Sequence, residues 1–459
     1  MLALFPNYRQ FDLENTPPET HLISAVLSNT IKKLGVPPIA SQFHEKFTGE
    51  NLRLEIIALL LKITAHDGWN QIANELFRAS SVCVELCKLL APVNDLLLWL
   101  YFDNAVLTSI ICDPLLWRRF GDLIGEIYAL VIHRECKDVS VPLFLREARR
   151  RLFCAASYTD KISSTLLGRP PRLCWRHTNI QLPLELRDED LASPIADVEL
   201  ACWKLDSNGW NTYGGVHQST CIRFRCLIST FREEIMDHSI ASRDISRRGW
   251  EMWDSVPEHM RYKPCFWDDE RLPSGVCLML VIAHLAYLFN EFLIQKLLDK
   301  RPLAQNQAYL SVSMELLSTV LTLGQPRDRY SIRFVHCRSS FARASVLVTA
   351  LQEQSTTGEA LPPSITRSEI IRNISVIHFK SRLSSRPGDG NYPICKKAAK
   401  TFTRLIDDIL DPKPSAAFQS TLELGFMSNP SLDGLDNIDT VDLFDNMEWG
   451  TGAGSQWSF

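Results

Sequence analysis

The sequence predicts an all-α fold, in which a large array of packed helices is followed by a disordered acidic C-terminal tail. Apolar residues recur at the three- and four-residue spacing of helices through most of the chain. The alternation typical of strands is scarce, and its best candidate, residues 178–186, contains Pro183, which cannot donate to a sheet ladder. The 459 residues are 46% hydrophobic and 22% charged, a globular composition that excludes collagen-like and wholly disordered chains.

Local patterns predict the individual helices in turn. The apolar spacing over 52–63 is typical of a buried helix. Pro114 indicates the start of a second helix, because proline fits a first helical turn. A third helix begins near Pro142 and stops before Pro170, since the residue before a proline is forced out of the helical region. Residues 275–300 are apolar nearly all round, which predicts a central buried helix. Two more helices are expected at 333–354 and 367–380.

Changes in composition divide the chain into five segments. Serine, proline and glycine are concentrated around 384–390, which predicts an exposed loop. After Pro412 the composition changes again, and we expect disorder to the C-terminus. The segments are an N-terminal extension at 1–17, a helical domain at 18–380, a loop at 381–393, a terminal helix at 394–411 and a tail at 412–459.

Targeting signals and cysteine usage favour a soluble protein inside the cell. The start of the chain lacks the apolar core of a signal peptide. The longest apolar run, 277–289, is interrupted by His284 and is shorter than the roughly 18 to 20 residues that a membrane span needs. The 13 cysteines include no Cys-x2-Cys pair, so we expect reduced core residues and not zinc ligands. We therefore expect no metal or other cofactor in this chain, and no membrane partner.

The last segment differs in charge from the rest of the chain. The whole sequence carries a formal charge of −4, but residues 414–459 contain seven acidic residues and no lysine or arginine, which leaves the preceding part slightly basic. From Asp433 to Glu448 an acidic residue occupies every third position. Because a three-residue step drifts around a helix of 3.6 residues per turn, no single apolar face forms. The interleaved apolar residues are Leu435, Ile438, Val441, Phe444, Met447 and Trp449.

This acidic-hydrophobic pattern is typical of activation domains, which fold onto coactivator surfaces when they bind. The tail is therefore a candidate activation segment, and its expected partners are a coactivator or other transcription proteins. Its expected contacts are the six apolar side chains just named. An ordinary disordered terminus remains the alternative interpretation.

Three carboxylates at the end of the helical part indicate a second function class. Asp407, Asp408 and Asp411 have the DDxxD spacing, which places carboxylates on adjacent helical turns where they can bind Mg²⁺. All-α terpenoid synthases use this arrangement to hold a diphosphate group. The alternative is an acidic last turn before Pro412, and no second ligand set accompanies the motif in the sequence.

Four short strings resemble a known family. They are His133-Arg-Glu135, Arg146-Glu-Ala-Arg-Arg-Arg-Leu-Phe153, Asp160-Lys161 and Leu167-Gly-Arg-Pro-Pro171. In this order they resemble the fungal-specific transcription factor domain, the middle homology region of zinc-cluster regulators of the xylanolytic-activator type. The resemblance extends over roughly residues 20–355 and continues through 182–191, 250–257 and 284–302. The family-motif residues are His133, Arg134, Arg149, Arg150, Arg151, Asp160, Gly168, Arg169, Pro170, Trp250 and Pro257.

The resemblance implies a nuclear, non-enzymatic regulator of transcription in which the helical domain holds and gates the acidic tail. It also implies control of a secondary-metabolite or catabolic gene cluster and a response to a small-molecule effector. The Zn₂Cys₆ module that reads DNA in this family does not precede the helical domain in this sequence. DNA contact is therefore expected from a partner, in a homodimer or heterodimer, or from a zinc cluster missing from this sequence. Cys154 also stands where the family has an aromatic residue, usually tryptophan, and a scaffold without DNA binding remains an alternative.

Overall fold

The computed structural model describes most of the chain between residues 19 and 411. The described residues are 19–66, 71–110, 116–167, 169–237, 243–269, 271–298, 305–322, 346–384 without 356 and 359, and 396, 399–400, 403–404, 406–407 and 410–411. The predicted N-terminal extension at 1–17 and the predicted tail at 412–459 lie outside them. Most of the predicted loop at 381–393 does so too.

The described part of the chain is all-α, as the sequence predicts. Its one β pairing is an isolated bridge between Leu205 and Asn211. The helices in chain order are α1 (Glu19–Ile31), α2 (Leu54–His66), α3 (Gln71–Leu90), α4 (Asp95–Ile110), α5 (Leu116–Ala129), α6 (Leu143–Leu167), α7 (Asp188–Ala192), α8 (Ile195–Cys202), α9 (Gln218–Met236), α10 (Arg243–Asp254), α11 (Ser274–Leu298), α12 (Gln307–Thr322), α13 over 346–355 and α14 (Arg367–Ser384).

Four predicted helices correspond closely to α2, α6, α11 and α14. The end of α6 at Leu167, three residues before Pro170, confirms that the prolines stop this helix. Residues 178–186 form no strand, in agreement with the weak alternation and the presence of Pro183. The start of α5 at Leu116 follows the predicted proline start, although residues 111–115 lie outside the described part.

The chain divides into two compact units. Among the described residues, unit 1 comprises those up to Asp160 together with Arg172–Leu227, and unit 2 comprises Lys161–Pro171 together with those from Ile228 onward. The core of unit 1 surrounds α4, in which every residue from Leu96 to Tyr101 is at most 2% exposed. A run of six apolar residues in a helix covers all of its faces, and the burial of Leu96 to Tyr101 shows that this part of α4 is enclosed on all sides.

Aromatic side chains fill the core of unit 1 next to α4. The ring of Phe43 meets the ring of Phe47 edge to face, with centroids 5.2 Å apart, and meets Trp99 in the same way at 6.1 Å. This is the geometry that aromatic quadrupoles favour. Asn94 caps α4, because its side-chain oxygen accepts a 3.0 Å hydrogen bond from the amide of Leu97.

Helix α11 is the central element of unit 2. By length and composition it could cross a membrane, but 72% of its apolar window is buried inside the protein. Its buried Asn290 accepts a 2.7 Å hydrogen bond from the guanidinium of Arg232 and donates to the carbonyl of Ile228 at 3.0 Å. Both polar groups are thereby satisfied inside an apolar environment. We interpret α11 as the buried core helix that its sequence predicts, and it is longer than the apolar run at 277–289.

Glu291, also on α11, provides a test of this packing. It is 9% exposed, one of its carboxylate oxygens has no hydrogen-bond partner among the described residues, and burial raises its pKa to about 7. Between the ordinary glutamate pKa and 7 the unfolded chain is ionised while the folded protein stays protonated, so stability falls as the pH rises, by about 1.4 kcal/mol for each pH unit. We expect Glu291→Gln to remove this decline and to raise the melting temperature at pH 8.

The measurement compares melting temperatures at pH 5 and pH 8. Glu189→Gln, which changes an exposed carboxylate, is the control and should follow the wild type at both pH values. A Glu291→Gln protein that loses as much stability as the wild type between pH 5 and pH 8 would contradict the expectation.

Candidate functional site

Helix α6 carries three consecutive arginines of the family motif, Arg149 to Arg151, and the structure pairs each of these three with a carboxylate. Arg149 makes two parallel hydrogen bonds to Asp95, from Nε at 2.8 Å and from a terminal nitrogen at 2.9 Å. Asp95 is 4% exposed and lies in the first turn of α4, where a negative charge is also favoured by the helix dipole. This fork-to-fork pair joins α6 to the central helix of unit 1.

The three arginines and their hydrogen-bond partners form what we call the charged network. Arg150 makes the largest number of contacts in it. It contacts both oxygens of Glu135, at 3.1 and 2.5 Å, and donates to Glu147 at 2.6 Å and to the side chain of Gln181 at 2.8 Å. Glu147 is fully buried and accepts a second hydrogen bond, at 2.8 Å, from the amide of Leu184. A guanidinium with this many charged and polar partners fixes the surrounding chain.

Burial and hydrogen bonding compete at the two carboxylates that Arg150 contacts. Burial acts to raise the pKa of Glu135, but the hydrogen bonds from Arg150 and from the amide of Gln181 outweigh it, and the pKa is lowered. At Glu147 the order is reversed, because its deeper burial raises the pKa despite the charge of Arg150. The network therefore contains one carboxylate held ionised and one held in a position that disfavours ionisation.

Arg151 connects α6 to the segment that precedes α7. It forms an ion pair with Asp188 and donates to the carbonyl of Leu186 at 2.7 Å. The spacing predicts an i,i+4 pair of Glu147 with Arg151, and this prediction is wrong. Glu147 turns to Arg150, three residues away, because a fully buried carboxylate needs donors on all sides and a surface pairing does not supply them.

Asp160 organises the chain that follows α6. It is fully buried, and its carboxylate accepts hydrogen bonds from the amides of Arg172, at 3.0 and 3.1 Å, and Leu173, at 2.9 Å. The guanidinium of Arg172 stacks 4.0 Å above the ring of Trp117 and donates to its carbonyl at 2.9 Å. Asp160 thereby joins α6 to the chain beyond the two prolines.

The remaining family-motif residues do not join this network. His133 is half-buried with its ring against Tyr128, and Arg134 is exposed. Arg169, Pro170 and the partly exposed Pro257 belong to unit 2, as does Trp250, whose side chain is 62% exposed. Gly168 lies outside the described residues.

The other predicted contacts fall mostly outside the described part. The six apolar tail residues and Asp408 lie outside it. In the DDxxD motif the amide of Asp411 donates to the carbonyl of Asp407 at 2.8 Å, as in the last turn of a helix. Among the described residues, no group of three metal-ligating side chains converges on one point.

Several residues of the network were not predicted from the sequence. Asp95, Gln181 and Asp188 are partners of the three arginines, and Glu185 forms a second buried site. Glu185 is 1% exposed and accepts a 2.6 Å hydrogen bond from the amide of Asn211 and another from the hydroxyl of Thr220. No local spacing predicts these contacts, although Glu185 and Asp188 belong to the stretch 182–191 over which the family resemblance continues.

Cys154 occupies a closed position on α6. It is fully buried, burial raises the pKa of its thiol, and it lies beside the equally buried Cys226. A small apolar side chain is what such a position accepts. This confirms the expectation that cysteine acts here as a core residue in place of an aromatic ring.

Val131, which follows the last turn of α5, has an unfavourable backbone conformation. Its φ is +59°, and the amide of Ile132 bonds to the carbonyl of Ile127 at 3.0 Å, which is the helix-ending motif that favours glycine. A β-branched residue in the left-handed region is strained by about 1 to 2 kcal/mol. Since Val131 is half exposed, we expect Val131→Gly to stabilise the protein by roughly 0.5 to 1 kcal/mol, read as a higher melting temperature.

Val139→Gly is the matched control for this substitution. Val139 is 93% exposed, and it is not among the described residues with positive φ. Glycine there gains nothing and adds freedom to the unfolded chain, so a small loss of stability is expected. Equal losses for Val131→Gly and Val139→Gly would contradict the strain at Val131.

Comparison with known protein families gives one match, which covers part of the chain. Residues 110–201 match the family model described as the fungal specific transcription factor domain. No curated protein and no solved structure matches the chain. The matched stretch contains α5, α6, the arginine string and all of its carboxylate partners except Asp95. Residues 110–201 are therefore a fungal-specific transcription factor domain, the middle domain of zinc-cluster-type regulators.

Proposed function

We propose that this chain is a nuclear, non-enzymatic regulator of transcription that controls a metabolic gene cluster. The single observation that carries the proposal is the domain at 110–201 together with the intact charged network of α6. Arg149, Arg150 and Arg151, which are adjacent in the sequence, are each paired with a carboxylate. They support the fold of the domain, and they are not available as phosphate contacts for DNA.

DNA contact in this proposal comes from elsewhere in the functional assembly. A partner chain or an N-terminal zinc cluster supplies it, and the partner forms a homodimer or heterodimer with this chain. The helical domain holds the acidic tail in one state and releases it in another. A small-molecule effector shifts this balance by binding the two states with different affinity. No metal, cofactor or membrane enters the scheme.

The tail at 412–459 is the proposed activation segment. Its alternating acidic and apolar residues keep it soluble and leave the apolar side chains available to a coactivator. Two sets of substitutions distinguish this role from that of a passive terminus. One set removes the six apolar side chains at 435–449, and the other removes polar side chains elsewhere in the tail.

The experiment fuses residues 412–459 to a heterologous DNA-binding domain in yeast and measures reporter output. Output above that of the DNA-binding domain alone is expected. It should be lost when Leu435, Ile438, Val441, Phe444, Met447 and Trp449 are replaced by alanine, and retained when Ser428, Ser431, Thr440 and Thr451 are replaced. Baseline output from the unchanged fusion would contradict the activation role and favour a scaffold.

A further inference from the structure

Unit 1 contains a cavity lined by guanidinium groups. Its volume is about 200 Å³, and it lies between the end of α5, the following loop and α6. Arg134, Arg146, Arg149 and Arg150 line it, together with Glu135. The rest of its wall includes Leu130, Ile132 and Ile180.

Two of these arginines are already paired, and two are not. Arg149 is paired with Asp95, and Arg150 is paired with Glu135 and Glu147. Within the described residues, neither Arg134 nor Arg146 lies within ion-pair distance of a carboxylate, and the buried Nε of Arg146 has no hydrogen-bond partner. The charge of Arg146 reaches Glu135 only at a distance, where it helps to lower the pKa of that carboxyl.

A guanidinium group that lines a cavity and has no carboxylate partner is a binding feature, because its accessible nitrogens can donate to an acceptor oxygen of a ligand. The fork of a guanidinium matches carboxylate and phosphate groups. The cavity is smaller than the roughly 300 to 1,000 Å³ of pockets for drug-sized ligands, and part of its wall is aliphatic. These properties fit a small ligand with one anionic group on a short carbon skeleton.

We propose that this cavity binds a small carboxylate or phosphate compound through Arg146 and Arg134. Arg149 and Arg150 hold the walls through their own carboxylates, and Glu135 is neutralised by its bond to Arg150. Arg134 is exposed at the rim and meets the incoming charge first. The binding itself does not rest on the proposed regulatory role, so it is testable with purified protein alone.

Cys136 provides a local reporter, because it lines the cavity and is half-buried and free. Full-length protein is treated with a thiol-alkylating reagent in the presence of inorganic phosphate, succinate or chloride at equal ionic strength. Peptide mass spectrometry then gives the alkylation rate of Cys136 and, as an internal reference, of the exposed Cys265. We expect phosphate, succinate or both to slow the alkylation of Cys136 saturably, and to leave the alkylation of Cys265 unchanged. The anion that slows the reaction shows whether the cavity prefers a phosphate or a carboxylate group. Absence of saturable protection in both arms would overturn the proposal.

Substitution of the two unpaired arginines completes the test. Arg146→Gln should weaken the binding of the protecting anion by about tenfold or more, which is the effect of losing one charge-assisted hydrogen bond. Arg118→Gln, an exposed change on α5 away from the cavity, should leave the affinity unchanged. Arg134→Gln is the second variant, since its exposed position tolerates substitution, and it too should weaken binding. Wild-type affinity in Arg134→Gln, or in a folded Arg146→Gln protein, would overturn the assignment.

Discussion

Arg150→Ala is expected to destabilise the protein by about 3 to 5 kcal/mol, because it leaves the fully buried Glu147 without its guanidinium. The substitution also removes both hydrogen bonds to Glu135 and the contact with Gln181. The measurement is the free energy of unfolding from urea denaturation of the full chain, followed by far-ultraviolet circular dichroism. We also expect Arg150→Ala to unfold at a lower urea concentration than the wild type, and over a broader range of urea concentration.

Arg187→Ala is the matched control for Arg150→Ala. Arg187 makes an i,i+3 ion pair with Asp190 and is 52% exposed, so its loss should cost far less stability than the loss of Arg150. The double variant Arg150→Ala/Glu147→Gln should recover part of the loss, since the uncompensated buried charge is gone. If Arg150→Ala and Arg187→Ala prove equally mild, the network does not stabilise the domain.

Asp160→Ala is expected to have the second large effect. It deprives the amides of Arg172 and Leu173 of their acceptor, and an unsatisfied buried amide costs about 1 to 3 kcal/mol. Asp160→Asn keeps one acceptor oxygen and should lose less stability. Hydrogen exchange at residues 172 and 173, measured by mass spectrometry after electron-transfer fragmentation, should accelerate in Asp160→Ala.

An exposed aspartate provides the comparison for Asp160. Asp197 lies in the first turn of α8, where its carboxylate gains only the helix-dipole interaction, so Asp197→Ala should cost at most about 1 kcal/mol. Unchanged exchange at residues 172 and 173 in a folded Asp160→Ala protein would show that the carboxylate does not hold this segment.

Four helices, α2, α6, α11 and α14, were predictable because their signals are local. The stop of α6 before Pro170 depends on neighbouring residues alone, and α11 announces its burial by being apolar all round. The φ of Val131 was not predictable, because nothing in its local sequence requires a left-handed residue where glycine is favoured.

The charged network was only half predictable. Its arginines could be singled out because they form a recognisable string, but all of their carboxylate partners except Glu147 lie 15 or more positions away in the sequence. Arg149 meets Asp95 across 54 positions, and Arg151 meets Asp188 across 37. Tertiary contacts of this separation leave no periodic trace in the sequence. The predicted local pair of Glu147 with Arg151 was wrong for a different reason, because the spacing alone does not show that Glu147 is fully buried beside Arg150.

The most direct test of whether this chain regulates transcription through its tail is a tethering experiment with the whole chain. Residues 1–459 are fused to a heterologous DNA-binding domain that binds upstream of a reporter gene, beside a fusion that ends at 411. The account predicts that the full chain changes reporter output relative to the DNA-binding domain alone and that the change disappears without the tail. Output equal to that of the DNA-binding domain alone, from a fusion shown to be intact and nuclear, would contradict it.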